Sequence, residues 1–297
     1  MSPMSPRTLR PRQTLHPEAA NWAARVVANG GSVGTSLPAV DRFCRAIDAA
    51  KIRDRFFRVN LFCGGKSGTA VGLNSCLVPL YRGPSLGGTQ YGTATDTHNV
   101  FDPADYSETG ASGGLKGNGL TKYLDTGLAQ STVAPDGFMH MSVYARHGTY
   151  SATSLSYRTI GVISTSPTNE FYFLDVRRVS SVTGAWATVG GATVFQSSPA
   201  TLTGGQLMTV TRATASSATI YLDATQAASD NVTRTINSVN NNIFVFAENR
   251  VGTGALTHAD MTLAAYSIGL PLTAQEVSSF QSAMATFQAA LSRNSGV

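Results

Sequence analysis

Between residues 121 and 268 the chain is a series of short runs in which apolar and polar residues alternate, separated by Gly, Pro, Asn, Asp and Ser. A period of two sends alternate side chains to opposite faces of an extended backbone, so each run can bury one face and wet the other. The pattern predicts strands near 121–126, 138–146, 158–163, 170–177, 185–189, 206–212, 218–223, 242–248 and 262–268. Regular spacing with turn residues between the runs argues for a mainly β fold, an antiparallel sandwich. Ile220 and Leu222 share one face, with Thr219, Tyr221 and Asp223 opposed. From Ile243 to Ala247 both faces are apolar, which predicts a central strand covered on each side.

The flanks follow a different period. Pro17 to Ala28 reads as a helix opened by proline and stopped at Asn29-Gly30-Gly31. A second helix follows Ser36, with Leu37, Val40, Phe43, Cys44 and Ile47 at helical spacing. Near the C-terminus Thr273 and Glu276 fit a capping box, and Val277, Phe280, Met284, Phe287 and Leu291 form a narrow apolar stripe. The expected organisation is a flexible basic arm over 1–15, a helical hairpin over 16–60, the sandwich over 61–272 and an amphipathic helix with a tail over 273–297. Leu77 to Tyr81 is expected to be a short strand, and residues 83–119 a long connector within the sandwich.

Charged residues make up only 13% of the 297, against roughly 25% in ordinary soluble domains, so the surface must draw on Ser, Thr, Asn, Gln and 29 glycines. The net charge is +5, yet the basic residues are not clustered over the body of the fold: Arg7, Arg10 and Arg12 form one small group in the arm and Arg53, Arg55 and Arg58 a second further on. A nucleic-acid binder shows a denser basic stripe with interleaved aromatics, so no nucleic-acid partner is expected. The first fifteen residues lack a hydrophobic stretch, and no run approaches the ~20 apolar residues that span a bilayer. A soluble protein made in the cytoplasm, with no membrane partner, is the expectation. Cys44, Cys63 and Cys76 fit neither a disulfide framework nor a zinc site. Cys44 reads as a small core residue. Cys63 and Cys76 could pair across their Gly-rich loop under oxidising conditions, and the spacing alone does not decide it.

Catalytic constellations are missing. Gly30-Gly31-Ser32-Val33-Gly34 and Gly110-Ala111-Ser112-Gly113-Gly114 match the nucleophile-elbow pattern without its strand–turn–helix setting. Gly65-Lys66-Ser67 imitates the end of a phosphate loop, but Asn60 stands where the leading glycine belongs. Glycoside hydrolysis needs paired carboxylates, and among five glutamates Glu170 pairs with no suitable residue, because Asp175 five positions on faces the other side of a strand. Glu248 reads as an arginine partner. The five histidines are scattered, and His140, between Met139 and Met141, reads as a hydrogen-bonded strand residue. Asp96, Asp102 and Asp105 in the long connector offer oxygens for a cation but no fixed ligand pattern. Neither enzyme activity, nor a cofactor, nor a metal site is expected. A carbohydrate-binding module would need exposed aromatics on a face or rim, and Tyr91, Tyr106 and Trp186 are the candidate glycan contacts, with Tyr150 a further aromatic of the same kind.

Two levels of resemblance follow. The opening Gly117-Asn118-Gly119, Lys122-Tyr123-Leu124-Asp125-Thr126-Gly127 and Phe138 to Arg146 resembles the start of a laminin-G or concanavalin A-like jelly roll. Over roughly residues 16–293 the chain is similar to bacteriophage virion structural proteins. That likeness is carried by Trp22 to Gly31, Phe43 to Ile47, Asn60 to Gly64, Val78 to Gly83, Gly87 to Gly92 and Gly113 to Gly119. One departure from the wider jelly-roll pattern is Asp223-Ala224, where an Asp-Gly turn is usual. The resemblance implies an antiparallel jelly-roll sandwich with an N-terminal helical hairpin and a C-terminal helix. It implies a non-enzymatic structural component of a tailed-phage virion, surface-exposed on capsid or tail and docked through helices and arm. Its partners would be other virion proteins and further copies of itself. The alternative is a carbohydrate-binding module that recognises a host-surface glycan.

Overall fold

The computed structural model describes residues 14–147, 155–165, 169–179, 182–191, 193–197 and 204–293. Most of the expected arm, residues 1–13, lies outside them. Helices α1 (Pro17–Ala28) and α2 (Leu37–Ala49) form the predicted hairpin. The His16 ring accepts from the Glu18 N–H at the start of α1, and Gly30 at φ +71° follows its end.

The chain then passes through β1 (Phe56–Asn60), α3 (Ala70–Cys76), β2 (Thr97–Asn99), β3 (Tyr106–Ser107), β4 (Gly114–Lys116), β5 (Tyr123–Ala129) and the single turn α4 (Gln130–Val133). The long strands follow: β6 (His140–His147), β7 (Leu155–Ser164), β8 (Glu170–Val179) and β9 (Val182–Val189). After the short β10 (Phe195–Gln196) come β11 (Gly204–Thr214), β12 (Ser217–Leu222) and β13 (Thr225–Asp230). The last strands are β14 (Asn242–Val245), β15 (Glu248–Arg250), β16 (Gly254–Leu256) and β17 (Thr262–Gly269), before α5 (Ala274–Ala290). All nine strands predicted between residues 121 and 268 are present within a few residues of their expected ends.

Two sheets result. Sheet I runs β13-β12-β11-β6-β17-β4-β3, with β1 also on β17; sheet II runs β10-β9-β8-β7-β14-β5-β2 and is extended by β15 and β16. Pairing is antiparallel except where β15 lies parallel to β7. Between the sheets sit Leu124, Met141, Val143, Ile160, Val162, Leu174, Val210, Ile243 and Leu263, all buried. This is the antiparallel jelly-roll sandwich, with the helical hairpin before it and the helix after it.

A third layer completes the molecule. The outer face of sheet I, through Tyr144, Leu207, Tyr221 and Ala264, packs against Trp22, Phe43, Ile47, Phe280 and Phe287 of the helices. All five residues of the predicted α5 stripe are buried there. The Thr273–Glu276 capping box is formed in both directions. The apolar stripes of all three long helices are therefore buried within this chain.

Several expectations are corrected. Leu77–Tyr81 is not a strand: α3 ends just before it, and it makes only an isolated bridge, Val59 to Tyr81. Its carbonyls are taken from the side by α1, since Trp22 Nε1 donates to Val78 O and Arg25 to Pro79 O and Leu80 O. Phe56–Asn60 belongs to sheet I rather than to the hairpin. The connector 83–119 carries β2, β3 and β4 and closes one edge of each sheet. In the strand Ile243–Ala247, Phe246 sits at φ +67°, which rotates its ring into the same inter-sheet core as Ile243 and Val245. Asp223 and Ala224 both adopt positive φ, +47° and +66°, so the β12–β13 turn is left-handed even without its usual glycine.

Buried polar groups tie the layers together. Arg58 of β1, with no exposed surface, donates to Asp96 Oδ1 at 2.7 Å and to the carbonyls of Tyr91 and Thr93. Asp96 also accepts from Asn60 Nδ2 at 2.7 Å and from Tyr266 OH at 2.7 Å. Burial works against the Arg58 charge, but Tyr266 and Asp96 outweigh it and hold its pKa above the ordinary arginine value.

His140 on β6 is the expected hydrogen-bonded strand residue. Its Nδ1 lies 2.6 Å from Leu270 O, its Nε2 lies 3.0 Å from Ser267 Oγ, and its ring meets Phe56 edge-on. Burial lowers its pKa from 6.5 to about 4. The unfolded chain then takes up the proton first as pH falls. The stabilisation is full above about 6.5 and is lost as pH falls to about 4, where the loss amounts to roughly 3 kcal/mol. Urea titrations at pH 7 and pH 4.5 should show this loss in the wild type and a much smaller one in His140→Gln.

Candidate functional site

The structure separates the three sequence-nominated aromatics. Tyr106 is a correction: it is 2% exposed, and its hydroxyl donates to Gly64 O and to the Glu108 carboxylate, so it presents no ring to a ligand. Tyr91 is half-buried and stacks on Phe57 with ring centroids 5.2 Å apart, at the strap that Arg58 holds down. Trp186 stands on β9 in sheet II, and Tyr150 falls outside the described residues.

Of the three, Trp186 lies on the outer face of sheet II, where it is partly exposed while Phe173, Asp175 and Glu248 around it are buried. Its neighbours Ala185, Ala187 and Val189 point into the inter-sheet core, so alternation turns Trp186 outward. None of α1, α2 and α5 packs on that side. The indole lies over Gly184, where an added Cβ would come within 2.9 Å of the ring. Beside it, across the ladder, Asp175 pairs in register with both Trp186 and Arg158.

A charged cluster extends from there. Arg158 Nε donates to Glu248 Oε2 at 2.7 Å and its NH1 to Asp175 Oδ2 at 3.2 Å, while the guanidinium lies 3.5 Å above the Phe173 ring. Arg250, which is partly exposed, donates to Glu248 Oε1 at 2.5 Å. Tyr123 and Phe244 stack further along the same face, with centroids 4.7 Å apart. The face therefore combines flat apolar rings with rigidly held ionic groups. Phe173, Asp175 and Glu248 are buried, so what this face offers to a ligand is the partly exposed Trp186, Tyr123 and Arg250. The expected Glu248–arginine pairing is present, doubled, and Glu170 lies away from Asp175 near Gly191 and Asn237.

The remaining candidates do not assemble. Asp96 is consumed by Arg58, Asn60 and Tyr266, whereas Asp105 bonds Lys122 and the Asp102 N–H. Among the described residues no group of three or more His, Cys, Asp or Glu is placed to hold a metal ion. The three cysteines are buried and unbridged, and burial pushes the Cys44 thiol up to about 12 and those of Cys63 and Cys76 up as well. No helix among the described residues is long and apolar enough to cross a membrane.

No family model and no curated protein matches this chain. Among solved structures it is similar to the NanB sialidase of Streptococcus pneumoniae (17% identity over 55% of this chain and 26% of that one, TM-score 0.41). It is also similar to the binding domain of botulinum neurotoxin serotype G (14%, 76% and 50%, TM-score 0.45) and to Trypanosoma rangeli sialidase (12%, 82% and 38%, TM-score 0.46). The chain spans about a quarter to a half of the length of these structures. At such identities and scores they carry no argument about ligand or activity.

Proposed function

We propose that the protein is a carbohydrate-binding module and that the outer face of sheet II is its ligand surface. The observation that carries this reading is Trp186, half-buried on the face free of long helices, beside the ionic cluster of Arg158, Asp175, Glu248 and Arg250. The indole would take the apolar face of a sugar ring, and Arg250 is the member of the cluster with surface to spare for hydroxyls. Retention on immobilised polysaccharides and on a glycan array tests it. Trp186→Ala should weaken retention at least about tenfold, with Trp186→Phe intermediate. An unmodified protein that ignores every glycan, or a Trp186→Ala protein that binds as well, would overturn it.

A second reading, that the chain is a structural component of a tailed-phage virion, is supported by where the resembling segments fall. Trp22 to Gly31, Phe43 to Ile47, Asn60 to Gly64 and Val78 to Gly83 all line the seam between the helices and sheet I. They build the scaffold, which two proteins can share without sharing a ligand. With the helical stripes satisfied internally, docking would fall to the arm and the sheet edges. Quantitative mass spectrometry of purified particles decides it: stoichiometric copies support a virion role, and absence removes it.

A further inference from the structure

Two sequence features left without a role, Gly30-Gly31-Ser32-Val33-Gly34 and Gly65-Lys66-Ser67, meet in space. A Cβ on Gly34 would lie 3.0 Å from the Gly65 nitrogen, and one on Gly64 would lie 2.9 Å from Ser32 O. Gly34, Gly64 and Gly65 all hold positive φ, and a Cβ on any of them would come within 3.0 Å of a neighbour, so only glycine lets the loops approach this closely. Between them opens a groove of about 650 Å3, lined by Ser32, Thr35, Lys66, Ser67, Thr69 and Glu108 among others. It lies on the helix-bearing side of the molecule, away from Trp186.

The groups around this groove are biased towards donors. Ser32 Oγ accepts from the Gly34 N–H and Ser67 Oγ from the Glu108 N–H, and neither hydroxyl donates to another group among the described residues. The N–H groups of Gly65, Lys66 and Ser67 donate to nothing among the described residues. The Lys66 side chain is exposed and forms no ion pair among the described residues. The one acid, Glu108, is 5% exposed and already occupied. It accepts from Ser36 Oγ, from the Gly64 N–H and from Tyr106 OH, and the buried Arg293 stands 3.8 Å away. Its charge is thus offset from within the protein, while Lys66 and Ser67 are exposed.

We propose that this groove is a second ligand site, one that takes a phosphate or sulfate group. Successive backbone N–H groups at left-handed glycines form an anion-binding concavity, and a lysine ammonium adds the charge. The volume is far larger than one tetrahedral oxyanion, which points to an ester on a larger molecule rather than to the free ion.

The test titrates the full chain with sodium phosphate and with sodium sulfate, each against sodium chloride at equal ionic strength, and follows backbone amides by NMR. Saturable shifts of Gly65, Lys66 and Ser67 that chloride does not produce are expected. Lys66→Gln, a change at an exposed side chain, should weaken the apparent affinity roughly tenfold, while Trp186→Ala leaves it unchanged. Stronger binding of one oxyanion separates a phosphate ester from a sulfate ester as the natural group. Absence of saturable shifts with both anions, or an unaltered response in Lys66→Gln, overturns the proposal. Either result leaves the glycan reading of sheet II standing.

Discussion

Replacing Arg58 by methionine is expected to cost about 3–5 kcal/mol of unfolding free energy, among the largest effects of any single substitution in this protein. The loss is dominated by what remains. Asp96, 1% exposed, keeps its charge inside the protein with only Asn60 and Tyr266 to solvate it. The strap through Tyr91 and Thr93 also loses the guanidinium that pins its carbonyls to sheet I. Urea denaturation measures the first effect, and limited proteolysis between residues 83 and 95 the second. The paired replacement Arg58→Met with Asp96→Leu should recover most of the loss, because it removes both charges together. A cost below about 1 kcal/mol for Arg58→Met alone would mean that the pair is not what holds the strap.

Phe43→Ala should be about as damaging, again roughly 3–5 kcal/mol. Its ring is 2% exposed and sits among Tyr81, Phe280 and Phe287 at centroid distances of 6.5, 6.4 and 6.0 Å. Those contacts join α2 to α5 and to the Leu77–Tyr81 segment, so a cavity there loosens a whole layer. Hydrogen exchange should show the amides of α1, α2 and α5 losing protection before those of β7 and β8. Uniform loss across all elements would show instead that the three layers unfold as one unit.

How much of this was legible in advance follows from element length and from the range of each contact. Strands of six or more residues display a period of two, and all of the long ones except β13 were readable; the helices were readable from their caps and stripes. Strands β2, β3 and β4 have two or three residues, too few to show any period, and so they looked like a loop. Helix α3 was hidden because Gly72 interrupts it and its only start signal is the Thr69 cap on the Gly72 N–H. At the candidate site, Trp186 was identifiable by residue type, but its companions were not. Arg158 meets Glu248 across 90 positions of sequence, and no local pattern announces a contact of that range. Tyr106 misled because its own strand is two residues long, and its burial is decided by Glu108 and the glycine at 64.

The helical layer on sheet I has a consequence for any assembly of many copies. A sandwich that carries its three long helices on one side only has a front and a back, unlike one that carries none. If the helical side is turned towards an anchoring surface, every Trp186 in the assembly points the same way. Contacts too weak to hold singly would then act in parallel on a repeating target, and grip would be set by the spacing of the copies more than by the strength of each.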